Sequence, residues 1–229
     1  MTNKERIKKA FIMTVPVLTG YICLGIGFGI VLESNGYGIL WAFAMGLLIY
    51  AGSMQYVAVD LLSGGASLIV TAITTFMVNA RHLFYGVSMI DKYKNAGKKK
   101  PYMIFALTDE TYSLICSEKS NDQGLYFFIS LFNHCYWVIG CVLGALIGSL
   151  ITFNTEGIDF ALTALFVTVF VEQWLTAKNH LYAIIGVVST VLCLLVFGKD
   201  SFLIPAMILI TAALTVAKKY TDREEKQND

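Results

Sequence analysis

Residues 71–90, from Thr71 to Ile90, read TAITTFMVNARHLFYGVSMI. The run is apolar enough to cross a bilayer, yet Asn79, Arg81 and His82 fall near its middle. A hydrocarbon core about 30 Å thick takes roughly 20 helical residues at about 1.5 Å each. Counted back from Asp91, where charged residues resume, Arg81 lies on the order of 15 Å deep. A cation at that depth costs at least about 2.5–3.5 kcal/mol, so Arg81 has to face protein, water, an acid or a bound anion.

The remainder of the chain agrees with a membrane setting. Of 229 residues, 56% are hydrophobic and 14% charged, where a soluble domain carries about 25% charged residues. Mean hydropathy is +0.65. No soluble stretch is long enough for a separate domain, and no long charged tail suggests a nucleic-acid partner. The expectation is one integral membrane domain over residues 1–229, with short cytoplasmic tails at 1–10 and 218–229. Cys23, Cys116, Cys135, Cys141 and Cys193 are scattered without metal or redox spacing, so they read as small buried hydrophobes. Neither a metal nor a cofactor is expected. The run Phe11–Leu32 is too long for a signal-peptide core and reads as a retained first membrane helix.

Apolar runs between polar breaks give eight segments: Phe11–Leu32, Ile39–Leu62, Ser67–Ile90, Tyr102–Cys116, Leu125–Ile151, Ile158–Leu175, Leu181–Phe197 and Phe202–Ala217. Lysines and arginines near span ends mark the cytoplasmic side. Lys4, Arg6, Lys8 and Lys9 place the N-terminus there, the lysines of Asp91–Pro101 place that loop there, and Lys218 and Lys219 place the C-terminus there. Three full crossings before Asp91 would put the basic loop on the wrong side. Either Ile39–Leu62 and Tyr102–Cys116 enter and return as hairpins, or all eight segments cross and the loop breaks the rule. Small and polar residues at Tyr50–Gln55, and Thr108, Asp109 and Glu110 in the short fourth segment, suit broken helices. The fold class is therefore an all-α polytopic membrane bundle of six to eight hydrophobic segments, one or two of them broken or re-entrant. Paired broken segments are a feature of secondary transporters.

On the helix carrying Arg81, a rotation of about 100° per residue sets Asn79, His82 and Gly86 on one face and Arg81, Tyr85 and Ser88 on the other. Two polar faces predict a central span. Asp109 and Glu110 are adjacent acids deep in an apolar segment. One of them, with Glu110 the expected partner, can pair with Arg81 and leave the other for an ammonium group or a proton. His134 is near mid-span, where it is either a helix-to-helix hydrogen bond or a proton relay. Gly25 and Gly29 share a face, as do Gly140, Gly144 and Gly148. Such small-residue spacing serves helix packing within the bundle or docks a second membrane subunit.

Four motifs come in order: Tyr50-Ala51-Gly52-x-x-Gln55, Arg81-His82-x-x-Tyr85-Gly86, Leu107-Thr108-Asp109-Glu110 and Trp137-x-x-Gly140-x-x-x-Gly144. Together they resemble the AzlC (YgaZ-like) branched-chain amino-acid exporter family, over nearly the whole chain from about Pro16. The resemblance implies export of leucine, isoleucine and valine across the cell membrane, as the large subunit beside a small AzlD-like membrane subunit. It implies no settled set of functional residues, so site roles come from charge and depth.

The substrate-site candidates are Arg81 for a carboxylate, Asp109 or Glu110 for an ammonium group, and Gln55, Gly52 and Asn79 along the path. His82, Glu110 and His134 are the candidates for proton coupling. A zwitterion needs one site of each sign, and an aliphatic side chain needs an apolar pocket. A transporter or channel for another small zwitterionic or anionic solute is the alternative. No H-E-x-x-H or G-x-S-x-G motif supports an intramembrane enzyme, and no P-loop supports ATP hydrolysis by this chain.

Overall fold

The computed structural model describes residues 2–150, 163, 167, 170–171, 174–175, 180–198 and 202–225, without the side chains of 203–204, 207 and 218–225. The sixth expected segment, Ile158–Leu175, lies largely outside the described residues, as do the last residues of the C-terminal tail. The described elements are all helical. They fall into two compact units, Met1–Leu165 and Phe166–Asp229.

In the first unit, α1 (Asn3–Ser34) and α8 (Gln123–Leu150) are long and apolar enough to span a bilayer. At about 1.5 Å per residue, the 32 residues of α1 extend about 48 Å. Thr2 and Glu5 start α1 with a reciprocal capping box, which satisfies two otherwise orphaned backbone donors. The two long helices pack along a glycine seam. A Cβ placed on Gly25 would come 2.8 Å from the Gly140 Cα. One on Gly29 would overlap the Cys141 and Ala145 backbone, and one on Gly144 would overlap Ile26. Gly148 faces Glu33. The Gly140/Gly144/Gly148 face is therefore covered by α1 of the same chain, which leaves it no room for a second subunit.

Between these pillars the chain makes two broken hairpins. The first consists of α2 (Ile39–Leu48) and α3 (Gly52–Ser63). Its tip is Tyr50, the one non-glycine residue with positive φ among the described residues, at 44°. A left-handed tyrosine is strained, and it is held by burial, with its ring 4.3 Å from that of His134. The hairpin leaves from the end of α1 and returns to it, because the Ser63 hydroxyl donates to Asn35 at 2.9 Å. Next, α4 (Leu68–Asn79) and α5 (Arg81–Ser88) run one after the other with a break at Ala80.

The second hairpin is α6 (Lys100–Phe105) and α7 (Asp109–Ser117), broken at 106–108. Its return is tied down at the start of α1. Lys9 pairs with Glu118 at 2.6 Å and Arg6 with Asp122 at 2.9 Å. Lys92 donates to the carbonyls of Ile115, Cys116 and Glu118, closing the C-terminal end of α7. The N-terminus, the basic loop and the α7–α8 link thus share one end of the unit. That arrangement removes the parity conflict in favour of the hairpins.

The expectation that the Arg81 span is central does not hold within the described structure. No residue of α4 or α5 is buried, and Leu68, Phe76, Phe84 and Val87 are all exposed. Only the Arg81 side of the span packs, against α3 and α7; its apolar remainder has the composition of a lipid-facing surface. In the second unit, α9 (Leu181–Phe197) and α10 (Leu203–Glu225) pack on each other around a turn at Gly198 with φ 71°.

Candidate functional site

The site is assembled where the two hairpins break. Helix α3 starts at Gly52 with Ala51 as its N-cap, and no side chain caps its first turn. Uncapped first-turn N–H groups carry the positive end of the helix dipole and favour an anion. Helix α7 starts beside it with the opposite character. Thr108 caps it by accepting from the Thr111 N–H, and Asp109 and Glu110 fill its first turn. One broken helix presents a start that no side chain caps and the other presents carboxylates.

Arg81, the first residue of α5, reaches both. Its Nη1 lies 2.8 Å from Asp109 Oδ2, and its Nη2 donates to the Ser53 hydroxyl at 3.0 Å. Arg81 Nε and Asp109 Oδ1 are buried without partners. The side chains are 39% and 36% exposed, so the pair sits at a surface that a solute can reach. The predicted polar face is present: Tyr85 stacks on Tyr112 at 4.5 Å, and Ser88 donates to the Tyr112 hydroxyl.

Asp109 therefore stands where Glu110 was expected. As the first residue of α7, Asp109 faces α5. One position on, a rotation of about 100° turns Glu110 towards α1, where it accepts from the Tyr21 hydroxyl at 2.6 Å. Tyr21 also bonds Thr108 at 2.7 Å and packs edge-on against Trp137. Trp137 Nε1 donates to Gln55, which is fully buried, and a Cβ at Gly52 would come 3.1 Å from the Trp137 ring. Gln55 and Gly52 thus bind α3 to α8 behind the ion pair.

The other predicted residues stand apart from that pair. Asn79 donates to the Thr75 carbonyl, and His82 Nδ1 is 3.2 Å from the Asn79 carbonyl across the break at Ala80, so both bond within the α4–α5 span, and Asn79 Oδ1 is buried without a partner. His134 is on α8 under the tip of the first hairpin. Its Nδ1 is 3.0 Å from the Tyr102 hydroxyl, while its Nε2 is buried without a partner. Ser53, Tyr21 and Tyr102 are neighbours of the candidate residues that the sequence left unmarked as side chains. Single hydroxyls in apolar helices have no distinguishing spacing, and only the meeting of the breaks selects them.

Helices discontinuous at mid-bundle, with charge gathered at their ends, define a class: integral-membrane proteins built as solute carriers are. A family model described as AzlC protein matches residues 16–151. The chain is 44% identical to the branched-chain amino acid transport protein AzlC of Bacillus subtilis, over 95% of this chain and 87% of that one. It is 42% identical to an uncharacterized membrane protein of Helicobacter pylori, covering 94% and 96% of the two chains. It is 26% identical to the inner membrane protein YgaZ of Escherichia coli, covering 86% and 82%. No solved structure matches. The chain belongs to the AzlC family and is a membrane transport protein.

Proposed function

We propose that this chain exports branched-chain amino acids across the cell membrane, as the large subunit of a secondary transporter with a small AzlD-like partner. The observation that carries the reading is the Arg81 bridge between Ser53 on α3 and Asp109 on α7. The guanidinium and the uncapped start of α3 suit the α-carboxylate, because arginine offers a planar bidentate fork. Asp109, or Glu110 behind it, suits the ammonium group. Gln55 and Gly52 hold the broken backbone in place, and Asn79 supports the turn before Arg81. His134, whose Nδ1 meets the Tyr102 hydroxyl, is the first proton-carrier candidate. Glu110 and His82 are secondary carriers. The name of the B. subtilis relative, a branched-chain amino acid transport protein, supports the aliphatic side chain. The chain acts as one transporter domain over 1–229, with both termini cytoplasmic, as its lysines indicate.

Radiolabelled leucine flux tests this directly. The chain is reconstituted into vesicles with and without a coexpressed small partner, under an imposed pH gradient. Saturable leucine movement that isoleucine and valine inhibit is expected, larger with the partner present. Flux indifferent to all three amino acids would overturn the assignment.

A further inference from the structure

The ion pair at the junction of the broken helices is closed on itself, yet both of its side chains are more than a third exposed. Each partner also keeps one buried polar atom unsatisfied, Nε on Arg81 and Oδ1 on Asp109. Buried polar atoms are ordinarily hydrogen-bonded, so two open atoms in one pair call for an explanation. This one is reachable from outside yet incompletely satisfied within.

We propose that the Arg81–Asp109 pair is a head-group lock, which opens only to a solute carrying both charges of an α-amino acid. The proposal rests on the head-group assignment above and adds the basis of selection. An entering carboxylate competes with Asp109 for the guanidinium, and an entering ammonium competes with Arg81 for the carboxylate. A zwitterion replaces both halves of the pair that it separates. A solute with one charge replaces one half and leaves the other without its partner, so it forfeits part of the attraction that closed the pair. Ser53 keeps Arg81 anchored to α3 while the pair opens. The lock explains selection of the head group; the side chain is selected elsewhere, by apolar contact.

Leucine and its two truncated analogues separate these contributions. 4-Methylpentanoate lacks the ammonium group and isoamylamine lacks the carboxylate. Binding of each to the purified full chain is measured by competition with radiolabelled leucine. Wild type is expected to prefer leucine over either analogue by ~10–100-fold, the range that one or two charge-assisted contacts give. In Asp109→Asn, Arg81 is unpaired, so 4-methylpentanoate should gain about tenfold while isoamylamine stays excluded. In Arg81→Gln, the preference should reverse, with isoamylamine gaining. Loss of leucine binding in both variants with no gain by either analogue would overturn the lock and leave the head-group assignment standing. Leucine binding unchanged in both would overturn the assignment and the lock together. If the single variants do not fold, Arg81→Gln combined with Asp109→Asn carries the test, since it strands no charge. The lock requires leucine's advantage over both analogues to disappear in that double variant, and its persistence would refute the proposal.

Discussion

At the scale of single residues, the largest consequences fall on Arg81. Removing one member of a buried ion pair costs about 3–5 kcal/mol because the other is stranded. Arg81 and Asp109 are only partly buried, so Arg81→Gln should cost a smaller amount, about 1–2 kcal/mol. Thermal unfolding in detergent should show this loss and its recovery in Arg81→Gln with Asp109→Asn. Adding Glu110→Gln to Arg81→Gln should bring no recovery, because Glu110 bonds Tyr21 instead. At the membrane edge, Glu118 offers a different test. The Lys9 side chain, helped by the Ser120 N–H, pulls its carboxyl down to about 2 from an ordinary 4.5. A depressed folded value means the stabilisation is fully present above the unfolded value and is lost as pH falls from 4.5 towards 2. Between pH 5 and 8 the Glu118 carboxyl stays ionised. Glu118→Gln should therefore leave the shape of the flux-against-pH curve unchanged across that window. A shifted curve would show that Glu118 takes part in proton movement.

At the scale of elements, the glycine seam between α1 and α8 makes a sharp contrast testable. Gly144→Ala forces a methyl group into the Ile26 backbone and should cost at least about 2 kcal/mol, as overpacking does. Gly20, on α1, has open space around it. Gly20→Ala should be neutral or stabilising by up to ~1 kcal/mol, because alanine loses less backbone entropy in a helix. Melting temperatures of the two variants should move in opposite directions or differ by several degrees. The spacing of Gly140, Gly144 and Gly148 made a close helix contact legible in the sequence. It did not identify the occupant, since a neighbouring helix of the same chain and a foreign one demand the same small residues. The breaks were legible for a related reason: polar and small residues at Tyr50–Gln55 and at Thr108–Glu110 suit neither a lipid-facing helix nor a packed one. The choice between Asp109 and Glu110 was not legible. It depends on the rotation of α7 about its own axis, which the first residue of the helix sets and periodicity alone leaves free. The exposed outer side of α4 and α5 was missed because the polar residues of that span were read as two inward faces, whereas Asn79 and His82 make their hydrogen bonds within the span itself.

At the scale of the whole molecule, the account makes a claim about sidedness and a claim about chemistry. The contact between Ser63 and Asn35, and the anchoring of Lys92, Glu118 and Lys9, put residues 34 and 63 at one end of the first unit and the basic loop at the other. Single cysteines at Ser34 and Ser63, in a chain with the native cysteines replaced, should both label from outside the cell, and one at Lys98 only from inside. Labelling of Ser63 from the cytoplasm alone would mean that Ile39–Leu62 crosses in full. The chemical claim is that the amino-acid head group is held by Arg81 where the two hairpins meet. It is tested most directly by counterflow of radiolabelled leucine into vesicles preloaded with unlabelled leucine, comparing wild type with Arg81→Lys and Arg81→Gln at equal amounts of folded protein. A point ammonium replaces a bidentate fork in Arg81→Lys, so its counterflow should fall by about tenfold or more, and Arg81→Gln should fall to background. Wild-type counterflow in Arg81→Gln would contradict the account at its centre.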